Sequence, residues 1–358
     1  MMLANAVYEQ ETGPLSSFNF GSEEKETLFV ASHLHDIGKI LVPEHVVHKE
    51  TRLELLYDRL NEIRMRFEII KRDLKISYYK KLNGGASKEL LDRELDKEYR
   101  MIDEDFQFIA NCNEGKEEMN PENLDKLKKI GMRTWEKTID DTIGLSYSEK
   151  MKKVKKKNPN PLIENLLSDK PDHFIEREEQ EIIAPDNPWN FKIDLPQYKY
   201  NHGEMYNLSL DKGVFTTEEK YIINSHMIHT IKMLEELPFP KNLKSVPEIA
   251  GGHHEKMDGS GFPKKLKKDE LSILSRIMRI VDIFETLTSV NKPNKKGRTL
   301  SESIKMMDRM RKDDLIDPDI FEVFLTSGTY LEYAKKFLEP YQIDEVDISR
   351  YLSGYVDV

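Results

Sequence analysis

The sequence predicts an all-α protein, and three observations carry that expectation. Apolar residues recur at alternating spacings of three and four through the long segments, as one face of a helix requires. The breaks between those segments hold glycine, proline or residues that cap helices. The one extended region without a helical period, residues 152–203, is interrupted by prolines.

The first periodic segment runs through Leu53, Leu56, Leu60, Ile63, Phe67, Ile70 and Leu74, a heptad seam with Arg, Glu and Lys filling the other positions. Asn83–Ser87, "NGGAS", ends it, and Ser87 is placed to cap the next helix. A second seam uses Leu91, Leu95, Tyr99, Ile102, Phe106 and Ile109. Two seams joined by a short glycine turn predict an antiparallel helical hairpin. A sustained seam needs only a partner helix, so the hairpin is read as structural or as a homodimer contact, not a ligand site. In "NPEN", Asn120 is expected as an N-cap with Pro121 at the first helical position. The basic run "KKVKKKNPNP" reads as a solvated loop rather than an anion patch. Helical periodicity resumes over 216–237, capped by Thr216 or Thr217, with His226 mid-helix. Another helix is expected over 271–290, and two short ones between Asp317 and Phe337.

Composition limits the function classes. The 358 residues are 38% hydrophobic and 34% charged, with a formal charge of −10. An acidic chain is poorly suited to following a nucleic-acid polymer, which needs a basic face. Small anions can still bind where a metal supplies positive charge. Cys112 is the only cysteine, which excludes an intrachain disulfide and a thiolate zinc knot and fits a reducing compartment. No run approaches the roughly 18 apolar residues of a membrane span, and no signal-peptide pattern opens the chain. The expected location is cytoplasmic.

Four places offer metal-ligand chemistry: His35 and Asp36 in "HLHDIGK", His226, the pair His253 and His254 in "HHEKMDGSGFP", and Asp282 within "RIMRIVDIFETL". Each alone is weak, and His48, His202 and His229 are read as ordinary histidines. Asp282 is the most telling, because an unpaired carboxylate among isoleucines costs several kcal/mol to bury. It needs either a metal or an ion pair, with Arg276 or Arg279 the nearest candidates in sequence. The joint set is nitrogen and oxygen without thiolate, which suits iron, manganese or zinc. Two such ions sharing a carboxylate suit displacement at phosphorus.

Those motifs, in that order, resemble the HD-GYP family of metal-dependent phosphohydrolases; the family's namesake triplet is Gly261-Phe262-Pro263 here. The resemblance implies an HD-domain helical bundle with an inserted helical hairpin, as in a subgroup that carries a large insertion. The implied division is 1–50 for the first part of the core, 51–203 for the hairpin and proline-rich connector, 204–312 for the second part of the core, and 313–358 for a C-terminal helical extension. The family's usual reaction is hydrolysis of cyclic di-GMP to pGpG or GMP by two divalent metal ions, iron or manganese.

Position by position, the resemblance makes Asp36 a bridge between two ions, with His35 and Asp282 on the first and His226, His253 and His254 on the second. Lys39 resembles the lysine that neutralises the scissile phosphate, so Asp36 and Lys39 carry the catalytic expectation. Asp258, Gly261, Phe262 and Pro263 would form the substrate-side wall and brace the histidine pair. The family's Asp-Arg-Pro-Tyr-Lys run stands here as Asn291, Lys292, Pro293, Asn294 and Lys295. Lys292 would keep a positive charge toward substrate without the arginine fork. A further histidine and a sensor domain such as a GAF module are expected upstream of Met1, because Met1–Tyr8 read as the middle of the helix that carries that ligand. The altered run leaves two alternatives: a catalytically degenerate signalling or binding module, or a phosphohydrolase acting on another nucleotide.

Overall fold

A computed structural model describes residues 1–153, 162–290 and 296–352. Most of the basic run (154–161) and the segment holding Lys292 (291–295) lie outside the described residues. The chain divides into two compact units. The first comprises Met1–Val42, Ile183–Asp194 and Asn224–Val358, and the second Pro43–Ile182 and Leu195–Ile223.

The first unit opens with α1 (Met2–Tyr8) and α2 (Ser22–Leu34). Glu24 closes the start of α2 by accepting the Gly21 backbone N–H at 2.9 Å, which satisfies a donor the helix cannot pair itself. A 3₁₀ turn, Ile37–Leu41, comes directly after it.

The second unit then runs through α3 (Glu44–Val47), α4 (Leu60–Asn83) and α5 (Lys88–Asn113). Helices α4 and α5 form the expected antiparallel hairpin. The Tyr78 hydroxyl donates to Asp92 (2.7 Å), the Tyr99 hydroxyl to Lys71 O (3.1 Å), and Lys71 pairs with Asp103. One expectation needs correction: the first seam does not begin as helix at Leu53. Asp58 Oδ1 accepts the Leu60 N–H at 2.8 Å and Asn113 Oδ1 accepts the Leu53 N–H at 2.8 Å. These side-chain acceptors hold 53–59 as a folded turn, with Leu53 buried and Leu56 exposed.

Helix α6 (Pro121–Gly131) starts at the predicted cap, where Asn120 Oδ1 accepts the Asn123 N–H at 2.8 Å. Strand β1 (Thr134–Lys137), α7 (Tyr147–Lys153) and β2 (Leu162–Asn165) come next, β1 and β2 pairing antiparallel with Thr134 opposite Asn165. A second two-stranded sheet pairs β3 (Phe174–Ile175) with β4 (Tyr200–Asn201). Helices α8 (Glu204–Leu208) and α9 (Thr217–Asn224) complete the segment. The core of this unit gathers Ile63, Phe67, Ile102, Ile109, Leu127, Leu166 and Leu208. Two of its buried carboxylates are ion-paired: Glu219 with Lys49 at 2.7 Å and Glu204 with Arg66 at 2.9 Å.

The chain returns to the first unit through α10 (His226–Glu235), α11 (Val246–Gly252), α12 (Ile273–Thr288), α13 (Leu300–Lys312), α14 (Pro318–Thr326) and α15 (Thr329–Phe337). A second correction falls here: the helix expected over 216–237 is two helices. The break falls at Asn224 and Ser225, where α9 ends and Ser225 precedes α10 with φ −62° and ψ −14°. His226 consequently begins a helix instead of sitting mid-helix. Helices α14 and α15 match the expected short pair. Asp317 Oδ1 caps α14 through the Asp319 N–H (2.9 Å), and Gly328 turns between them at φ 71°. The core of this unit includes Leu3, Val7, Leu28, Ile249, Ile280, Phe284, Ile304 and Phe321. The all-α expectation stands, with strands confined to two small two-stranded sheets among the described residues. No helix of the described residues is long and apolar enough to cross a membrane.

Candidate metal centre

The site lies within the first unit, where the end of α2 and its 3₁₀ turn meet α10, α11 and α12. Gly38 makes that approach possible. A Cβ at position 38 would stand 2.0 Å from His226 O and 2.6 Å from the Thr230 N. With hydrogen there instead, the turn packs directly on α10, and the Gly38 N–H donates to Thr230 Oγ1 at 3.0 Å. This contact brings His35 and Asp36 to the start of α10, where His226 is buried.

Two overlapping groups of ligand-type atoms result, each within 4.8 Å: Asp36, His226, His253 and His254 form one, and His35, His253 and Asp282 the other. Asp36 Oδ1 lies 3.4 Å from His226 Nε2 and 3.9 Å from His253 Nε2. Its other oxygen, Oδ2, lies 3.3 Å from His35 Nε2 and 2.6 Å from Lys39 Nζ. His35 Nε2 is 4.0 Å from Asp282 Oδ1. Asp36 thus turns one oxygen toward each group, as a bridging carboxylate must. His253 belongs to both.

Backbone carbonyls set the tautomers. His253 Nδ1 is 2.6 Å from Ala250 O, and His35 Nδ1 is 2.8 Å from Ser32 O. A carbonyl only accepts, so each Nδ1 carries the proton and each Nε2 turns a lone pair toward the cluster. His253 Nε2 is buried without a hydrogen-bond partner. An orphaned acceptor at the meeting point of carboxylates and imidazoles fits a cation. The donor set, nitrogen and oxygen only, fits a divalent transition ion.

Electrostatics agree with that fit. Burial, with the neighbouring imidazoles, pushes His253 down to about 3 and His254 to about 2. Both rings are therefore neutral and able to coordinate at neutral pH. Burial alone would raise Asp36, but the neighbouring His226, His35 and Lys39 outweigh it and hold the carboxylate well below its usual range. Asp282 shifts upward, first by burial and then by the Asp36 charge. A carboxylate in that position gains from an added cation. Neither arginine pairs with Asp282: Arg276 pairs with Asp317, and Arg279 donates to Leu315 O at 2.8 Å and His253 O at 3.2 Å.

The turn after the histidine pair is held from within. Glu255 is buried, and its carboxylate accepts the Lys264 N–H (2.6 Å) and the Leu266 N–H (3.0 Å). Gly261 packs so tightly that a Cβ would lie 2.4 Å from Glu255 Cα. The Phe262 N–H donates to His254 O at 3.3 Å, tying the turn to the ligand pair. Gly261 and Pro263 are buried, whereas Asp258 is exposed and its Oδ1 accepts the Ser260 N–H at 2.8 Å. Lys39 is also exposed apart from its bond to Asp36. Sequence reasoning missed Gly38, Thr230 and Glu255. Gly38 and Glu255 stand beside singled-out residues, in "HDIGK" and "HHEK"; Thr230 follows His226 by four residues, with no motif to mark it.

A helical bundle that converges a His-Asp pair, three more imidazoles and a second carboxylate defines a His-Asp metal-site fold of the HD-domain class. Residues 161–320 match the family model described as HD domain. The matched span begins after His35 and Asp36, which reach the site from the other side of the second unit's sequence. A 3′3′-cGAMP-specific phosphodiesterase of Vibrio cholerae is 33% identical over 117 residues, 32% of this chain and 24% of its own length. A cyclic di-GMP phosphodiesterase of Thermotoga maritima is 33% identical over 116 residues, 32% of this chain and 31% of its length. One from Pseudomonas aeruginosa is 29% identical over 119 residues, 33% of this chain and 28% of its length. The chain thus spans about a quarter to a third of these relatives.

Proposed function

We propose that this chain is a metal-dependent phosphodiesterase that opens cyclic di-GMP to linear pGpG or on to GMP. The observation that carries the reading is the Asp36 carboxylate, with one oxygen facing each of two overlapping ligand groups. Asp36, His226, His253 and His254 would hold one ion, and His35 and Asp282, with Asp36 between, the other. Iron or manganese matches this donor set. When bound, such ions activate water and neutralise charge at phosphorus. In the reaction water adds to phosphorus and the bond to the 3′ oxygen breaks.

The chain's own residues supply the rest. Lys39 Nζ is 2.6 Å from Asp36 Oδ2 and otherwise exposed, so it can reach a phosphate oxygen beside the bridge. Ala250 O and Ser32 O keep two imidazoles in the ligating tautomer. The Asp258–Pro263 turn is tied to His254 through the Phe262 N–H, and its exposed Asp258 and Ser260 would meet the substrate. Lys292 is the proposed second cation toward the dinucleotide.

A second reading has specific support: a mixed cyclic dinucleotide as substrate, since one relative's name makes it specific for 3′3′-cGAMP. One experiment tests both. Protein purified anaerobically with iron(II) and manganese(II) offered should retain metal and hydrolyse at least one of the two dinucleotides. Asp36→Asn should lose metal and more than about 100-fold in rate, beyond what loss of a merely supporting residue costs. A metal-free wild type, or a metal-loaded one that cleaves neither dinucleotide, would reject the proposal.

A further inference from the structure

Residues 183–194 reach the first unit from the long region between the two halves of its sequence, and leave again at Leu195. Within that unit they do more than cross the surface. Phe191 is buried with Ile228 and Ile231 of α10, and Trp189, Ile193 and Phe262 pack against the same cluster. Asn187, also buried, staples the segment on itself: its Oδ1 accepts the Phe191 N–H (3.0 Å), and its Nδ2 donates to Phe191 O (3.0 Å) and Ala184 O (3.0 Å). The Lys192 N–H then donates to Pro263 O at 2.9 Å.

Each contact ends one step from the metal centre. Ile231 lies under the backbone that leads into the histidine pair, since a Cβ on Gly251 would meet its Cγ1 at 2.6 Å. Ile228 stands two residues beyond His226 on α10. Phe262 is bonded through its N–H to His254 O. One aromatic ring thus backs the elements that carry His226, His253 and His254.

We propose that residues 183–194 are a positioning strap for the metal centre, with Phe191 as its anchor and the Lys192–Pro263 hydrogen bond as its clasp. The strap sets the rotation of α10 and the seat of the Gly261–Pro263 turn, and through them the direction of three imidazoles. Its importance for hydrolysis rests on the function proposed above, but its effect on metal binding and on loop order does not.

The test is manganese(II) titration by calorimetry together with hydrogen exchange, on wild type, Phe191→Ala, Phe191→Leu and Asn187→Ala. Phe191→Ala should weaken manganese binding about 10-fold or more, the loss typical when a residue supporting a ligand is removed. Exchange should quicken at the Lys192 and Phe262 amides while that of α5 is unchanged. Phe191→Leu, which keeps apolar bulk, should recover most of both effects. If Phe191→Ala does not fold, the milder Asn187→Ala carries the test through the same two readouts. Folded variants with wild-type manganese affinity and unchanged exchange over 253–263 overturn the strap. Should wild type bind manganese yet cleave no cyclic dinucleotide, the substrate reading fails and the strap is still decided by affinity and exchange. Should wild type bind no manganese, the exchange readout decides it alone.

Discussion

At the residue scale, what a histidine does depends on who faces it, and sequence context hides that. His202 reads as ordinary from its neighbours in the chain, yet its pKa is pushed down to about 4 from 6.5, first by burial and then by the Arg59 and Lys49 charges. Below 6.5 the unfolded chain takes a proton that folded His202 refuses, so its contribution to stability is complete above 6.5 and lost as pH falls toward 4. At 1.36 kcal/mol per pH unit the loss is on the order of 3 kcal/mol at most. Urea unfolding at about pH 7.5 and about pH 5 should show wild type losing clearly more stability than His202→Gln. Equal losses would mean that His202 is not held neutral by the fold. The residues of the candidate site were legible by type and motif: imidazoles and carboxylates in a known order. Which nitrogen each ring presents was not legible, because Ala250 O and Ser32 O decide it and a backbone carbonyl has no sequence identity.

At the element scale, periodicity located the hairpin and the short C-terminal pair because there the helix pattern and the packing agree. It failed where side chains compete with the helix for backbone groups. Asp58 and Asn113 folded the start of the first seam. The strands β1–β2 and β3–β4 are too short, four and two residues each, to show a period at all. The seam between the 3₁₀ turn and α10 was equally hidden, though the metal centre depends on it. Gly38→Ala places a methyl 2.0 Å from His226 O, which backbone cannot avoid without moving apart. The expected cost is about 1–3 kcal/mol of stability, as for other overpacked sites, accompanied by weaker manganese binding as His226 and Asp36 separate. Thermal unfolding and metal titration of the one variant check both. A Gly38→Ala protein with unchanged metal affinity would show that the close approach does not set the centre.

At the scale of the whole molecule, the sequence order and the spatial order diverge. The first unit is assembled from three separate stretches, the second from two, so no local pattern could reveal that 183–194 belongs with α10 and the turn at Pro263. Contacts of such separation are specified by burial and shape, which a linear reading cannot see. The partition has a thermodynamic consequence. The ligand-type groups lie wholly in the first unit, and an ion that binds only the folded form stabilises it by about 2.7 kcal/mol when free ion exceeds its dissociation constant 100-fold. Amides are protected only against openings that release the ion. Manganese should therefore slow hydrogen exchange strongly in α10 and α12 of the first unit. In the α4–α5 hairpin of the second it should slow only the exchange that proceeds through global unfolding. Protection rising by the same factor in both units would mean that the chain opens as one cooperative block. Protection absent from α10 and α12 would place the ion somewhere other than the Asp36 cluster.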